Sequence, residues 1–178
     1  MNKEFWDVLD FKGRPTGQTV CRRLKGKFPK GRFHLVVHIW VTNSRGEFLI
    51  QQRSPFKQPM AGEWAATGGA VVAGEQSEQG ARRELFEELG INPSEGQMRF
   101  AARIKRRISF IDIWQVQTDV EPAGLNLQKE EVERAKWVSK EELSRMIKEG
   151  SFHNYGKEYF DLVFSLTPIS EQQKPAET

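Results

Sequence analysis

The chain has 178 residues, 38% of them hydrophobic, with five Trp, twelve Phe and a single cysteine, and 27 basic against 24 acidic residues leave a net charge of +3. That content supports a buried core, a lone cysteine excludes an internal disulfide framework and fits a reducing cytoplasm, and the charge balance is too mild to indicate nucleic acid by itself. No apolar run approaches the roughly 18 residues of a membrane span, and the start MNKEFWDVLD lacks the basic-then-apolar layout of a secretion signal.

The length suits one domain, expected over residues 1–167 and burying roughly 70% of its unfolded surface, followed by a polar tail over 168–178 whose composition favours disorder. Phe5 to Leu9 is expected as a short strand, with Phe11 to Pro15 as its turn. The basic stretch CRRLKGKFPKGRF (21–33) is Gly/Pro-broken and reads as a helical turn followed by loop. It serves either as an arm that attracts an anionic substrate or as a solvated loop.

The run HLVVHIWV (34–41) is almost continuously apolar and β-branched, as expected of a central strand covered on both faces. His34 and His38 fall on one face of it, as a metal-binding pair or, more commonly for such positions, as satisfied core or rim residues. A turn over 42–46 and a returning strand at Phe48 to Ile50 follow. The Pro/Gly loop RSPFKQPMAGEW (53–64) carries Arg53 and Lys57, suited to a diphosphate if the loop borders an acidic site and otherwise plain surface cations.

The stretch GAVVAGEQSEQGARRELFEELGI (69–91) predicts a helix from about Ser77 to Leu89, stopped by Gly90 where a left-handed residue is wanted. Ala81, Leu85 and Leu89 make its buried stripe. Glu84 and Glu88 rise from the same side one turn apart, with Glu87 about 60° away. Like charges at that spacing repel, and Glu87 and Glu88 occupy the negative end of the helix dipole. Arg83 offsets part of this by pairing with Glu87, and a divalent cation would offset more.

Met98 to Ile104 and Ser109 to Val120 are expected as strands, the second alternating with Phe110, Ile113 and Trp114 as bulky members. The cations of RIKRR (103–107) read as hairpin surface or substrate rim. After a loop over 121–130 comes a strand to Val138. Ser139-Lys140-Glu141-Glu142 then opens a helix to Glu149, with Leu143, Met146 and Ile147 inward and Gly150 closing it, and a last helix covers about 156–166. Trp40, Trp64 and Phe110 could stack on a base, although core packing is the commoner use of such residues.

Gly69, Glu75, Arg83-Glu84, Leu85, Glu87-Glu88, Gly90 and Ile91 match every fixed position of G-x5-E-x7-R-E-U-x-E-E-x-G-U, with U aliphatic, and on them the chain resembles the Nudix family. The resemblance implies an α/β/α sandwich with a mixed β-sheet, which agrees with the element order. It also implies hydrolysis of a diphosphate linked to another moiety, typically in a nucleoside diphosphate derivative, with Mg²⁺ or Mn²⁺ as cofactor. By the same resemblance Glu84, Glu87, Glu88 and the Gly69 carbonyl are the metal ligands, and Glu84 is also a candidate to activate the water. Arg83 orients the acids, and Glu75 is its structural partner. A further carboxylate outside the motif serves many relatives as ligand or base; Glu131, ahead of Glu130, is the candidate, with an exposed loop acid as the alternative.

Beyond that motif, RFHLVVHIWV, QQRSPFK and GEW resemble the branch that holds isopentenyl-diphosphate isomerase and related hydrolases. There the positions of Arg53 and Lys57 bind the substrate diphosphate. The isomerases place a catalytic Cys and a metal-binding His where this chain has Gly68 and Ala70, so the hydrolase is preferred over isomerase chemistry and over a non-catalytic module that binds nucleotide or RNA. The expected partner is a small-molecule diphosphate, with no membrane and no nucleic acid. Homodimers are common among the relatives, so the resemblance leaves that state open, and the expected location is cytoplasmic.

Overall fold

In the computed structural model, which describes residues 4–22, 28, 30–166 and 169, the run HLVVHIWV is the hub of a mixed sheet. Among the described residues the chain order is β1 (Phe5–Leu9), β2 (Pro15–Cys21), β3 (His34–Thr42), β4 (Phe48–Arg53), β5 (Trp64–Ala65), β6 (Thr67–Ala70), α1 (Ser77–Leu89), β7 (Met98–Lys105), β8 (Ser109–Gln117), β9 (Val132–Val138), α2 (Lys140–Glu149) and α3 (Lys157–Phe164). Strand β3 runs parallel to β8 along its whole length, from His34↔Ser109 to Thr42↔Gln117. Its other edge is divided: Val36 to Ile39 pair with β6, and only Val41 and Thr42 pair with β4. Strands β3 and β4 then diverge, and β4 continues against β5 and β9. The opening between them holds the site described below.

Continuous hydrophobicity in β3 follows from packing on both faces. Val37, Ile39 and Val41 face α1, against Ala81, Leu85 and Leu89, each fully buried. Trp40 points the other way, into a cluster with Leu143 and Met146 of α2 and Tyr159, Phe160 and Val163 of α3. Helices thus cover both faces of the sheet, giving the α/β/α layering. Helix α1 spans the residues its pattern predicts and ends on Gly90 at φ 69. Ser139 accepts from the Glu142 N–H at 3.1 Å to open α2, and Gly150 closes it at φ 76. No described helix is long and apolar enough to cross a membrane.

Three expectations need correction. Pro15, expected in the turn, and Cys21, expected to open a helical turn, are instead the ends of β2, a strand missing from the expected elements and paired antiparallel with β1; its residues PTGQTVC show no alternation because the strand is largely exposed. Strand β8 does not alternate either, since Phe110 to Val116 are all buried between the two helical layers. The segment leading to α1 contributes β5 and β6, too short to show a period. Residues 23–27 and 29 of the basic stretch, and the tail apart from Ile169, lie outside the described residues.

The β1–β2 hairpin forms a small sheet of its own, held to the body by reciprocal backbone bonds between Leu9 and Phe33 at 2.7 and 3.0 Å. The Ala73 N–H donates to the Phe5 carbonyl at 2.8 Å, and the Gly74 N–H to Asp7 at 2.9 Å. These bonds fold the hairpin over the start of the α1 segment and make it one wall of the cleft.

Candidate active site

Helix α1 presents its acids to the opening beside β6 because the apolar stripe fixes its rotation against β3. Arg83 organises them. Its Nε and Nη2 donate to the two oxygens of Glu75 at 2.7 and 3.0 Å. Its Nη1 donates to Glu84 at 2.7 Å and Glu87 at 3.1 Å, and Nη2 reaches the Ala70 carbonyl at 3.1 Å. Glu75 also accepts the Val72 N–H at 3.0 Å. Burial alone would raise the Glu75 pKa, but the bonds from Arg83 and Val72 bring it below the usual value. The Glu75 hydrogen bonds in turn lift the Arg83 pKa further above its ordinary value, so the guanidinium is a permanent charge here.

Glu84 and Glu88 are in a different condition. Burial raises the Glu84 pKa despite the opposing effect of Arg83. Glu88 is 3% exposed, and burial together with the Glu84 charge pushes it up to about 8. Its Oε2 accepts from Gln51 Nε2 at 2.8 Å and the Gly68 N–H at 3.3 Å. Glu87 is half exposed and, among the described residues, is held by Arg83. Gly69 explains itself by contact: a Cβ there would come within 2.5 Å of the Glu84 carboxylate.

A cleft of about 350 Å³ runs past these groups, lined by Gly69, Glu84, Glu87 and Glu88. The candidates Arg53, Lys57, Arg83 and Glu131 line it as well. Lys57 and Glu131 are ion-paired to each other at the rim, and the Ser54 N–H donates to the Glu131 carbonyl at 2.8 Å, tying the two loops together. Arg53 donates through Nε to the Pro59 carbonyl at 3.2 Å. Glu130 and Glu75 are not among the lining residues. The acids are not gathered into a ready-made ion cage: among the described residues no three His, Cys, Asp or Glu side chains converge closely enough to hold a metal. Arg83 holds Glu84 and Glu87, while Gln51 and Gly68 hold Glu88.

The remaining cations of the sequence lie elsewhere. Arg103 is exposed, as hairpin surface would be, and also forms a two-pronged pair with buried Asp112 at 2.5 and 2.8 Å. Lys105 donates to the Phe11 carbonyl and Arg106 to that of Tyr155, and none of residues 103–107 lines the cleft. Of the basic stretch, Arg22 reaches the cleft wall, paired with Glu4 at 2.6 Å. Trp40 and Phe110 are core residues, and Trp64 packs under Arg134 and Lys136.

Sequence reasoning missed Trp6, Tyr155 and Gln51. Trp6 lies stacked on His34, with ring centroids 4.4 Å apart, and both line the cleft. Gln51 is 1% exposed within an apolar strand, and a polar residue in the run FLIQQR was the one signal available. At Gly68, φ is 157 and a Cβ would fall onto the Val37 carbonyl oxygen. A side chain there, a catalytic cysteine included, would require the β3–β6 backbone to shift.

A family model described as NUDIX domain matches residues 32–162. An uncharacterised Nudix hydrolase of Listeria monocytogenes is 37% identical over 155 residues, covering 85% of this chain and 89% of that protein. An isopentenyl-diphosphate Delta-isomerase of Streptomyces coelicolor is 35% identical over 89 residues, 49% of this chain and 44% of its own. Among solved structures, a Deinococcus radiodurans protein superposes with a TM-score of 0.73 at 23% identity, covering 92% of this chain and all of that one. The Nudix domain of Shewanella oneidensis NrtR, solved with ADP-ribose, gives 0.54 at 17% identity over 78% and 86% of the two chains.

Proposed function

The chain belongs to the Nudix hydrolase family, and on that premise we propose that it is a Mg²⁺- or Mn²⁺-dependent hydrolase that opens the diphosphate bond of a nucleoside diphosphate derivative or a similar organic diphosphate. The observation that carries this reading is Glu88, a carboxylate 3% exposed, beside a second, partly buried acid, Glu84. Two neutral donors do not offset the burial of a charge there, so the carboxyl holds its proton up to about pH 8, and a bound cation would favour its ionised form.

Hard oxygen donors suit Mg²⁺, and Glu84, Glu87, Glu88 and the Gly69 carbonyl would hold it. Once bound, such an ion neutralises the diphosphate and lowers the pKa of the attacking water. The chain's own residues do the rest. Arg53 and Lys57 grip the anion, the first by forked hydrogen bonds and the second as a point charge. When a phosphate takes Lys57, Glu131 is released from its ion pair and becomes free to accept a proton. Arg83 touches no substrate; its bonds to Glu75, Glu84 and Glu87 set the acids in place. As water adds to phosphorus and the bridging P–O bond breaks, the water's proton passes to Glu84 or Glu131.

The reading is tested by incubating the protein with nucleoside diphosphates, nucleoside triphosphates, nucleotide sugars and isoprenoid diphosphates in Mg²⁺ or Mn²⁺. A diphosphate is expected to be cleaved; no product above a Glu88→Gln control would overturn the proposal. The base is identified by pH–rate profiles of Glu84→Gln and Glu131→Gln: the variant that has lost the base loses the acidic limb of kcat and about 10²-fold or more in rate. Gly69→Ala is expected to cut kcat about 10²-fold by displacing the Glu84 carboxylate. Its melting temperature should move by less than about 3 °C, because the displaced atoms end a flexible side chain.

A further inference from the structure

His38 stands opposite Gly68 in the β3–β6 register, so its side chain leaves the sheet on the face away from α1, where α3 packs. The ring lies against Tyr155, with centroids 4.8 Å apart, and edge-on to Tyr159 at 5.6 Å. Its Nδ1 is 2.7 Å from the Tyr159 hydroxyl, which also receives the Trp40 indole N–H at 2.9 Å. An indole N–H can only donate, and it takes one of the two lone pairs of the hydroxyl; if an Nδ1–H took the other, the buried Tyr159 O–H would have no acceptor among the described residues, so the hydroxyl proton goes to His38 Nδ1. Nδ1 is therefore an acceptor, and the imidazole proton sits on Nε2. His38 lines the cleft, Nε2 has no partner among the described residues, and no buried polar atom there is left orphaned. The Nε2–H thus opens into the cleft. Burial, with the charges of His153 and Arg106, keeps the ring neutral by lowering its pKa to about 3.

We propose that His38 determines specificity for the group carried on the diphosphate: locked in one tautomer by Trp40 and Tyr159, it donates Nε2–H to an oxygen acceptor of a nucleoside or sugar and disfavours a hydrocarbon chain. The proposal rests on the hydrolase reading and deepens it. The acids come from α1 on one side of β6 and His38 from the other, so this donor meets the part of the substrate beyond the phosphates. A hydrocarbon lodged there would strip the N–H of water and give it no acceptor.

The test compares wild type, His38→Leu and His38→Gln on the four common nucleoside diphosphates and on geranyl diphosphate, with kcat and KM separated. Histidine-labelled wild type is also followed by long-range ¹H–¹⁵N spectra with and without each nucleoside monophosphate. Free wild type should show a protonated Nε2 and a bare Nδ1, with Nε2 shifting when a monophosphate binds. His38→Leu should lose about 10–100-fold in kcat/KM on its preferred nucleotide, mostly through KM. Geranyl diphosphate should be unaffected or improved, and His38→Gln, which keeps a donor, should recover part of the loss. A proton on Nδ1, an Nε2 resonance unmoved by every monophosphate, or an equal loss on both kinds of substrate would each overturn the proposal. If wild type turns over neither these diphosphates nor the triphosphates and nucleotide sugars of the wider panel, the hydrolase reading falls, and the spectra alone decide His38.

Discussion

Glu88→Gln is expected to lower turnover by at least about 10³-fold while making the metal-free protein more resistant to heat above pH 8. The two effects have one source. Burial, reinforced by the Glu84 charge, pushes the Glu88 carboxyl up to about 8, against about 4.3 in an unfolded chain. The folded state therefore holds this proton more tightly. The stability it contributes is fully present below about pH 4 and is lost as pH rises through about 8. Even half of that displacement corresponds to a few kcal/mol, on the order of 2 to 3, or about 5 °C or more in melting temperature for a chain of this size. Glutamine keeps an oxygen to accept from Gln51 and Gly68 but carries no charge to bury. Its advantage over wild type should be small at pH 5 and grow to several degrees at pH 9, measured by thermal unfolding in a chelating buffer. A variant that lost turnover and stability equally at both pH values would make Glu88 a packing residue instead of a ligand.

The same helix shows what was legible beforehand. Its ends and buried stripe follow from local rules, a left-handed glycine after the last turn and apolar residues at i, i+4 and i+8, so they could be read without tertiary knowledge. Clustering of Glu84, Glu87 and Glu88 is likewise local. Their condition is not: that Glu88 is buried beside Gln51, or that Glu84 fills the space a Gly69 side chain would take, depends on β4 and β6 coming alongside the helix. Strand β2 escaped because Pro15, Gly17 and an exposed edge leave no period to detect. The Arg103–Asp112 pair joins neighbouring strands across a register that includes a bulge between Phe100 and Ala102, so its geometry is invisible in RIKRR itself. Lys57 and Glu131 were each legible as charges near the site, whereas their pairing to one another was not.

Metal binding should be coupled to proton release, and the size of that coupling follows from Glu88. At pH 7 a carboxyl with a pKa of about 8 is mostly protonated, while a carboxylate must be ionised to bind a cation. Titration with Mn²⁺ in buffers of different ionisation enthalpy should therefore show close to one proton released per protein near pH 7, falling towards none above about pH 9. Affinity should rise by up to about tenfold per pH unit below 8 and level off above it. Glu84 adds to the release at lower pH, since its pKa is raised as well. The bound ion removes the charge burial that destabilises the metal-free protein at alkaline pH, so the gain in melting temperature on adding saturating Mn²⁺ should be larger for wild type than for Glu88→Gln. Arg83 competes for the same oxygens of Glu84 and Glu87, so binding must displace those bonds or share them. Removing the guanidinium with Arg83→Leu should lower kcat, because the acids lose their orientation, and should increase the proton count, because Arg83 no longer opposes the rise of the Glu84 pKa. Affinity independent of pH, with no proton released, would mean that the ion meets only the exposed Glu87 and that the buried pair takes no part.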